Sequence, residues 1–346
     1  MGILRFFLAL SVIASHAGPI IPFSINGEPF VINLLTGRQA VLLFYIISGF
    51  YMSLILDKKY VGTNRLKAFY INRYLRLFPA YIVILILAGF FANRFNDILA
   101  GISDLSFFNK LFIGFSNIFI IGSDIFYFIS VESSKIVYKP FFLYPNHNGA
   151  DLLVIPPVFS ISIELMFYII CPFFVNNIKR ILYLILFAIF YFVFIVILGR
   201  NNIIWTYHAF PSSLLFFGLG ALAYYLSSKK YILDKKYTIF LFLIVMTFLT
   251  LPLLVNNLLI LVFAMAVPFI FKLTKSNKWD MFIGELSYPL YLIHFPIMQV
   301  LYKNYNISEK VGLYTAIISI IFAIIIHIVI ENPINKYREK ITARML

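Results

Sequence analysis

Apolar runs of bilayer-crossing length recur along nearly all of this 346-residue chain and leave it few architectures. A helix needs about 17–25 such residues to cross the hydrocarbon core. Runs of this kind fall near 4–22, 39–57, 77–93, 155–176, 180–199, 208–227, 237–255, 258–273, 286–303 and 311–330. In lipid, backbone polar groups must bond within their own segment, so the pattern predicts an all-α polytopic bundle of about ten transmembrane helices. Only 12% of the residues are charged and 62% are hydrophobic, far from soluble usage, where roughly a quarter are charged. No repeat or low-complexity segment divides the chain, so a single membrane-embedded domain, 1–346, is expected.

The net charge of +14 reflects topology and does not point to nucleic acid. With a cytoplasmic N-terminus, ten spans put both termini inside, along with twenty of the 28 basic residues. The inner set includes Arg5, Arg73, Arg76, the Lys229–Lys236 cluster and Arg338, a clear positive-inside bias. The first run resembles a signal peptide but has no small-residue cleavage site before Pro19 and Pro22, so it reads as a retained span. Residues 105–129 are apolar enough to cross, yet a crossing there would invert every later loop. Lys110, Asn117 and Asp124 also interrupt them. They are expected on the outer surface, interfacial or re-entrant, within one long loop, 94–154. Asn256-Asn257 alone separates the seventh and eighth runs and reads as a tight hairpin.

Polar residues inside spans are costly and mark function. Arg5 and His16 lie eleven residues apart in LRFFLALSVIASH, about three helical turns and roughly 16 Å of rise, on nearly one face. Glu164, in VFSISIELMFY, is the acidic residue nearest mid-span, at a depth similar to His16. A carboxylate–imidazole pair is possible there and would orient a histidine base; the alternative is a structural polar contact between helices. Arg73 and Arg76 share a helical face at the start of the third span, where two planar donor forks suit a phosphate. Membrane anchoring explains either arginine alone. Ser48-Gly49-Phe50 could serve packing, and His294, between Pro289 and Pro296, could line a cavity or be tied into the structure. His327 and Cys171 read as structural. Five histidines and fourteen acids show no metal-ligand spacing, so no metal site is expected.

Six motifs in order then resemble the membrane acyltransferase 3 family, whose members O-acylate cell-surface carbohydrates. They are LRx10H at Leu4–His16, an FxxSGF-like YIISGF at Tyr45–Phe50, FYxxRxxRxxPAY at Phe69–Tyr81 and SxSxExxFY at Ser160–Tyr168. LSYPLYLIHFP at Leu286–Pro296 and ExP at Glu331–Pro333 complete the set. Phe159 stands where the family usually has Trp. Gln39-Ala40-Val41 lacks an acidic residue often found before FxxSGF. With no esterase-like domain after the last span, the chain is similar to the stand-alone branch.

The resemblance implies a multi-pass enzyme of the bacterial inner membrane. It would move an acetyl or other short acyl group from cytosolic acetyl-CoA or another acyl-CoA to a surface glycan or lipid-linked precursor. Arg5, Arg73 and Arg76 would hold the donor's phosphates. His16 would act as general base or transient acyl acceptor, and Glu164 would orient it. Ser48, Tyr291 and His294 would line the reaction cavity. The competing expectation, a multi-span carrier, lacks an evident internal repeat with paired broken helices.

Overall fold

The computed structural model describes residues 1–20, 23–25, 28–30, 35–60, 65–140, 149–200, 202–228, 257–304 and 310–345. Helices occupy the apolar runs that fall within the described residues. They are α1 (Gly2–Ala17), α2 (Gly37–Lys58), α3 (Arg65–Phe91), α4 (Arg94–Gly101), α5 (Phe107–Phe119) and α6 (Phe159–Phe174). After them come α7 (Ile178–Ile197), α8 (Phe210–Ser228), α9 (Asn257–Thr274), α10 (Lys278–Asn304), α11 (Val311–Ile326) and α12 (Asn332–Met345). Two short antiparallel hairpins accompany them: β1 (Phe23–Ile25) with β2 (Glu28–Phe30), and β3 (Ile129–Glu132) with β4 (Lys135–Tyr138).

Among the described residues six helical stretches are long and apolar enough to cross a bilayer: α2, α3, Pro156–Phe174, α7, α8 and Val311–Met345. Of the other expected spans, α1 and Leu258–Thr274 are apolar but shorter. Within α10, the run 286–303 is preceded by Lys278, Asp280 and Glu285. The run 237–255 and Asn256 lie outside the described residues.

Small residues set the helix spacing that builds the centre. A Cβ on Gly2 would sit 1.5 Å from the Asp280 carbonyl oxygen, and one on Gly284 would sit 2.5 Å from the Gly2 Cα. The first turns of α1 and α10 therefore touch backbone to backbone. Asp280 fixes that junction: its carboxylate accepts the N–H groups of Gly2 and Ile3 at 2.7 and 2.9 Å and the Met1 ammonium at 2.6 Å. Burial pushes this carboxyl up. The ammonium and the two N–H donors outweigh burial and leave it below its usual range. On the far side of α2, a Cβ on Gly49 would meet the Phe217 carbonyl oxygen at 2.0 Å, and one on Gly220 would meet that of Ile46 at 1.9 Å. Gly49 thus seats α2 against α8 and leaves Ser48 facing the interior. Gln39, at the motif position lacking an acid, caps α2: it accepts the Thr36 N–H at 2.9 Å, and the Thr36 hydroxyl accepts the Gln39 N–H at 3.2 Å.

Residues 105–129 do not form a span. The 13-residue α5 is about 20 Å long, short of the roughly 30 Å hydrocarbon core. Its Phe107, Phe108, Leu111 and Phe115 are exposed. The buried Asn117 pins the other face, donating to Ile113 and Leu152 carbonyls at 2.9 Å and accepting the Val154 N–H at 2.7 Å. The described parts of the long loop expected over 94–154, residues 94–140 and 149–154, are folded, and Arg94 ties them together by donating to the Asp151 and Leu153 carbonyls at 2.7 Å.

Candidate active site

A cavity of about 380 Å³ lies between α1, α2, α3, α6 and α10. That volume falls within the range of small-molecule sites, about 300–1,000 Å³. Arg5, Arg73 and Arg76 line it, together with Ser48, Ser160, Glu164 and Tyr291.

The arginines reach the cavity from two helices. Arg5 comes from α1, its guanidinium 5.8 Å from the Tyr51 ring. A Cβ at Gly284 would lie 2.6 Å from Arg5 Nη2, so only glycine leaves room for the side chain. Arg73 and Arg76 stand in the third turn of α3, which starts at Arg65, not at the helix start that the apolar run indicates. Polar residues extend a helix freely beyond the lipid-facing stretch, so the run marks the span and not the helix. Arg73 donates to Asn72 Oδ1 at 2.6 Å and lies 5.7 Å from the Tyr168 ring. Arg5 Nε and Arg73 Nε are buried with no hydrogen-bond partner among the described residues. Buried N–H groups left open beside a cavity are what an anionic ligand satisfies.

Glu164 sits in the cavity wall. Its Oε1 accepts the Ser48 hydroxyl and the Tyr168 hydroxyl, both at 2.6 Å. Tyr168 is four residues on and on the same helical face. The expected His16–Glu164 contact is not made, because the carboxylate is engaged by α2 and by its own helix.

The partner of His16 is His294. His16 Nδ1 lies 2.9 Å from His294 Nε2, with ring centroids 5.2 Å apart and planes within 10°. The tautomers follow from the third member of the chain. His294 Nδ1 is 2.6 Å from the Tyr291 carbonyl, which can only accept, so Nδ1 carries the proton. Nε2 of the neutral ring is then an acceptor, and His16 must donate from Nδ1. Nε2 of His16 is left with its lone pair free, on an exposed side chain. His294 is fully buried and, like His16, does not line the cavity. Tyr291 connects the two places. Its side chain lines the cavity and hydrogen-bonds Ser160 Oγ at 2.6 Å and the Pro157 carbonyl at 2.9 Å, while its carbonyl holds His294.

Glu285, outside the motifs, and Tyr288, inside LSYPLYLIHFP, join Tyr291 at the cavity. Glu285, Tyr288 and Tyr291 recur every three residues along α10 and all line the cavity, a spacing visible in the sequence. His327, expected to be structural, bridges two carboxylates: Nδ1 lies 3.0 Å from Glu331, the glutamate of ExP, and Nε2 lies 3.3 Å from Glu285.

A family model described as an acyltransferase domain, that of the acyltransferase 3 family, matches residues 1–331. No curated protein and no solved structure matches the chain. The match takes in every cavity residue and both histidines, and the chain belongs to the acyltransferase 3 family.

Proposed function

We propose that this membrane acyltransferase transfers an acetyl, or another short acyl, group from acyl-CoA to a hydroxyl of a cell-surface polysaccharide or its lipid-linked precursor. In this reading about ten spans cross a bacterial inner membrane with both termini cytosolic, and the arginine side of the cavity faces the cytosol. The observation that carries it is one continuous set of contacts. Guanidinium side chains with open N–H groups line a cavity whose Tyr291 holds His294, which in turn holds His16.

Arg5, Arg73 and Arg76 bind the donor's phosphates, and the pantetheine arm extends from them along α1. An arm of that kind covers the roughly 16 Å rise from Arg5 to His16. The acceptor oxygen attacks the thioester carbonyl, the C–S bond breaks and an ester C–O bond forms. His16 Nε2 takes the hydroxyl proton and returns it to the departing thiolate. In the covalent variant, Nε2 first accepts the acyl group itself. His294 is the positioning residue for His16, the part first assigned to Glu164. Glu164 with Ser48 and Tyr168 shapes the wall that the arm passes.

The test uses purified protein in lipid nanodiscs, acyl-CoA labelled in the acyl group, and surface glycan as acceptor. Labelled ester forming with one free thiol per ester is the expected result. A carrier would bind or move the label with the thioester intact, and that outcome would overturn the reading. Mass spectrometry of surface glycans from a deletion strain then identifies the acceptor.

A further inference from the structure

A fourth arginine belongs to the cationic cluster, beyond the last residue the family model matches. Arg338 lies on α12, which packs along α3, and it is only 9% exposed. Its Nε and Nη1 are buried with no hydrogen-bond partner among the described residues. Its charged and titratable neighbours are Arg76, Arg73, Tyr60 and Glu339. None of Arg73, Arg76 and Arg338 makes an ion pair with a carboxylate among the described residues. Three guanidinium groups gathered with no carboxylate ion-paired to them among the described residues repel one another, and a buried polar N–H costs free energy until it is bonded. Polyanion binding relieves both.

The order of groups along the donor fixes which anion this is. From the thiol outward, CoA carries pantetheine, a diphosphate, and then a ribose bearing a 3′-phosphate. Arg5, Arg73 and Arg76 line the cavity that takes the arm, whereas Arg338 neighbours Arg73 and Arg76 and does not line it. We propose that the cavity arginines hold the diphosphate and that Arg338 on α12 binds the 3′-phosphate of the same donor. The inference rests on acyl-CoA being the donor.

A phosphate monoester or diester could also come from a lipid headgroup, so binding is measured in nanodiscs of phosphatidylcholine alone and with added phosphatidylglycerol. CoA and dephospho-CoA, which lacks the 3′-phosphate, are titrated against wild type, Arg338→Ala, Arg338→Lys and Arg73→Ala. Wild type is expected to favour CoA by about tenfold or more, as a charge-assisted contact gives. Arg338→Ala should bring that ratio close to one with dephospho-CoA affinity unchanged, and Arg338→Lys should restore part of it. A ratio preserved in Arg338→Ala overturns the proposal, including the case where both affinities fall together because α12 has undocked. A loss seen only with phosphatidylglycerol assigns Arg338 to a lipid headgroup and overturns it too. If wild type binds neither nucleotide and Arg73→Ala changes nothing, the donor assignment itself fails, a result distinct from the others.

Discussion

The two ends of α1 differ in how completely their polar groups are bonded. Around Arg5, guanidinium N–H groups are buried and open: Nε of Arg5 and of Arg73 has no partner among the described residues. Around His16 the opposite holds. His294 is bonded at both ring nitrogens, and Nε2 of His16 has no partner among the described residues. A buried donor left unbonded costs about 1–3 kcal/mol, so the arginine end is held in a state that a phosphate ligand relieves. A catalytic ring must have its tautomer set before the acceptor arrives, because a wrong tautomer has no lone pair to offer. In the proposed function one end binds and the other reacts, and substitutions should separate them.

Removing both cavity arginines breaks the binding end. Arg73→Ala with Arg76→Ala should raise the Kd for acyl-CoA by about 100-fold or more, since each charge-assisted contact contributes roughly tenfold. Single lysine replacements should recover part of it. Titration calorimetry checks this, and unchanged affinity with lost activity would make the arginines structural.

The histidine end is sharpened by exchanging His294. His294→Leu removes the acceptor for His16 Nδ1–H and should lower the saturated transfer rate by roughly 10–100-fold with little change in acyl-CoA affinity. His294→Gln keeps an acceptor oxygen and should retain more activity than leucine. Equal losses in the two variants would show that the hydrogen bond does not set the rate.

The smallest effect concerns the junction that holds α1 in place. Asp280→Asn should cost about 1 kcal/mol at neutral pH, read as a lower melting temperature in detergent. The Asp280 carboxyl lies below its ordinary range. A depressed group contributes stability above its unfolded pKa, near 4, and loses it as pH falls through the folded value. The difference between variant and wild type should therefore close on acidification. A constant difference across pH would assign the loss to packing.

Much of this was legible in the sequence, within limits set by geometry. The apolar runs, the three-residue spacing of Arg73 and Arg76 and the eleven-residue spacing of Arg5 and His16 each concern one helix, where periodicity fixes the face. Tyr168 beside Glu164 was equally readable, as an i,i+4 pair. The partner of His16 was not. Span counting gives depth alone, and Glu164 matches His16 in depth while facing Ser48 and Tyr168. What brings His294 to His16 is the contact of α1 with α10, made possible by Gly2 and Gly284, two glycines at unremarkable positions in the chain. Arg338 was hidden for a related reason: it counts as one more inner basic residue until α12 is seen to dock on α3.

The division between the two ends is tested most directly by single-turnover transfer in His16→Ala, with the acyl-CoA Kd measured on the same preparation. The Kd should stay within about twofold of wild type while transfer at saturating acyl-CoA falls by about 10²–10⁴-fold, the usual effect of losing a general base. Transfer above about a tenth of wild type, or a loss that excess acyl-CoA restores, would contradict a catalytic role for His16.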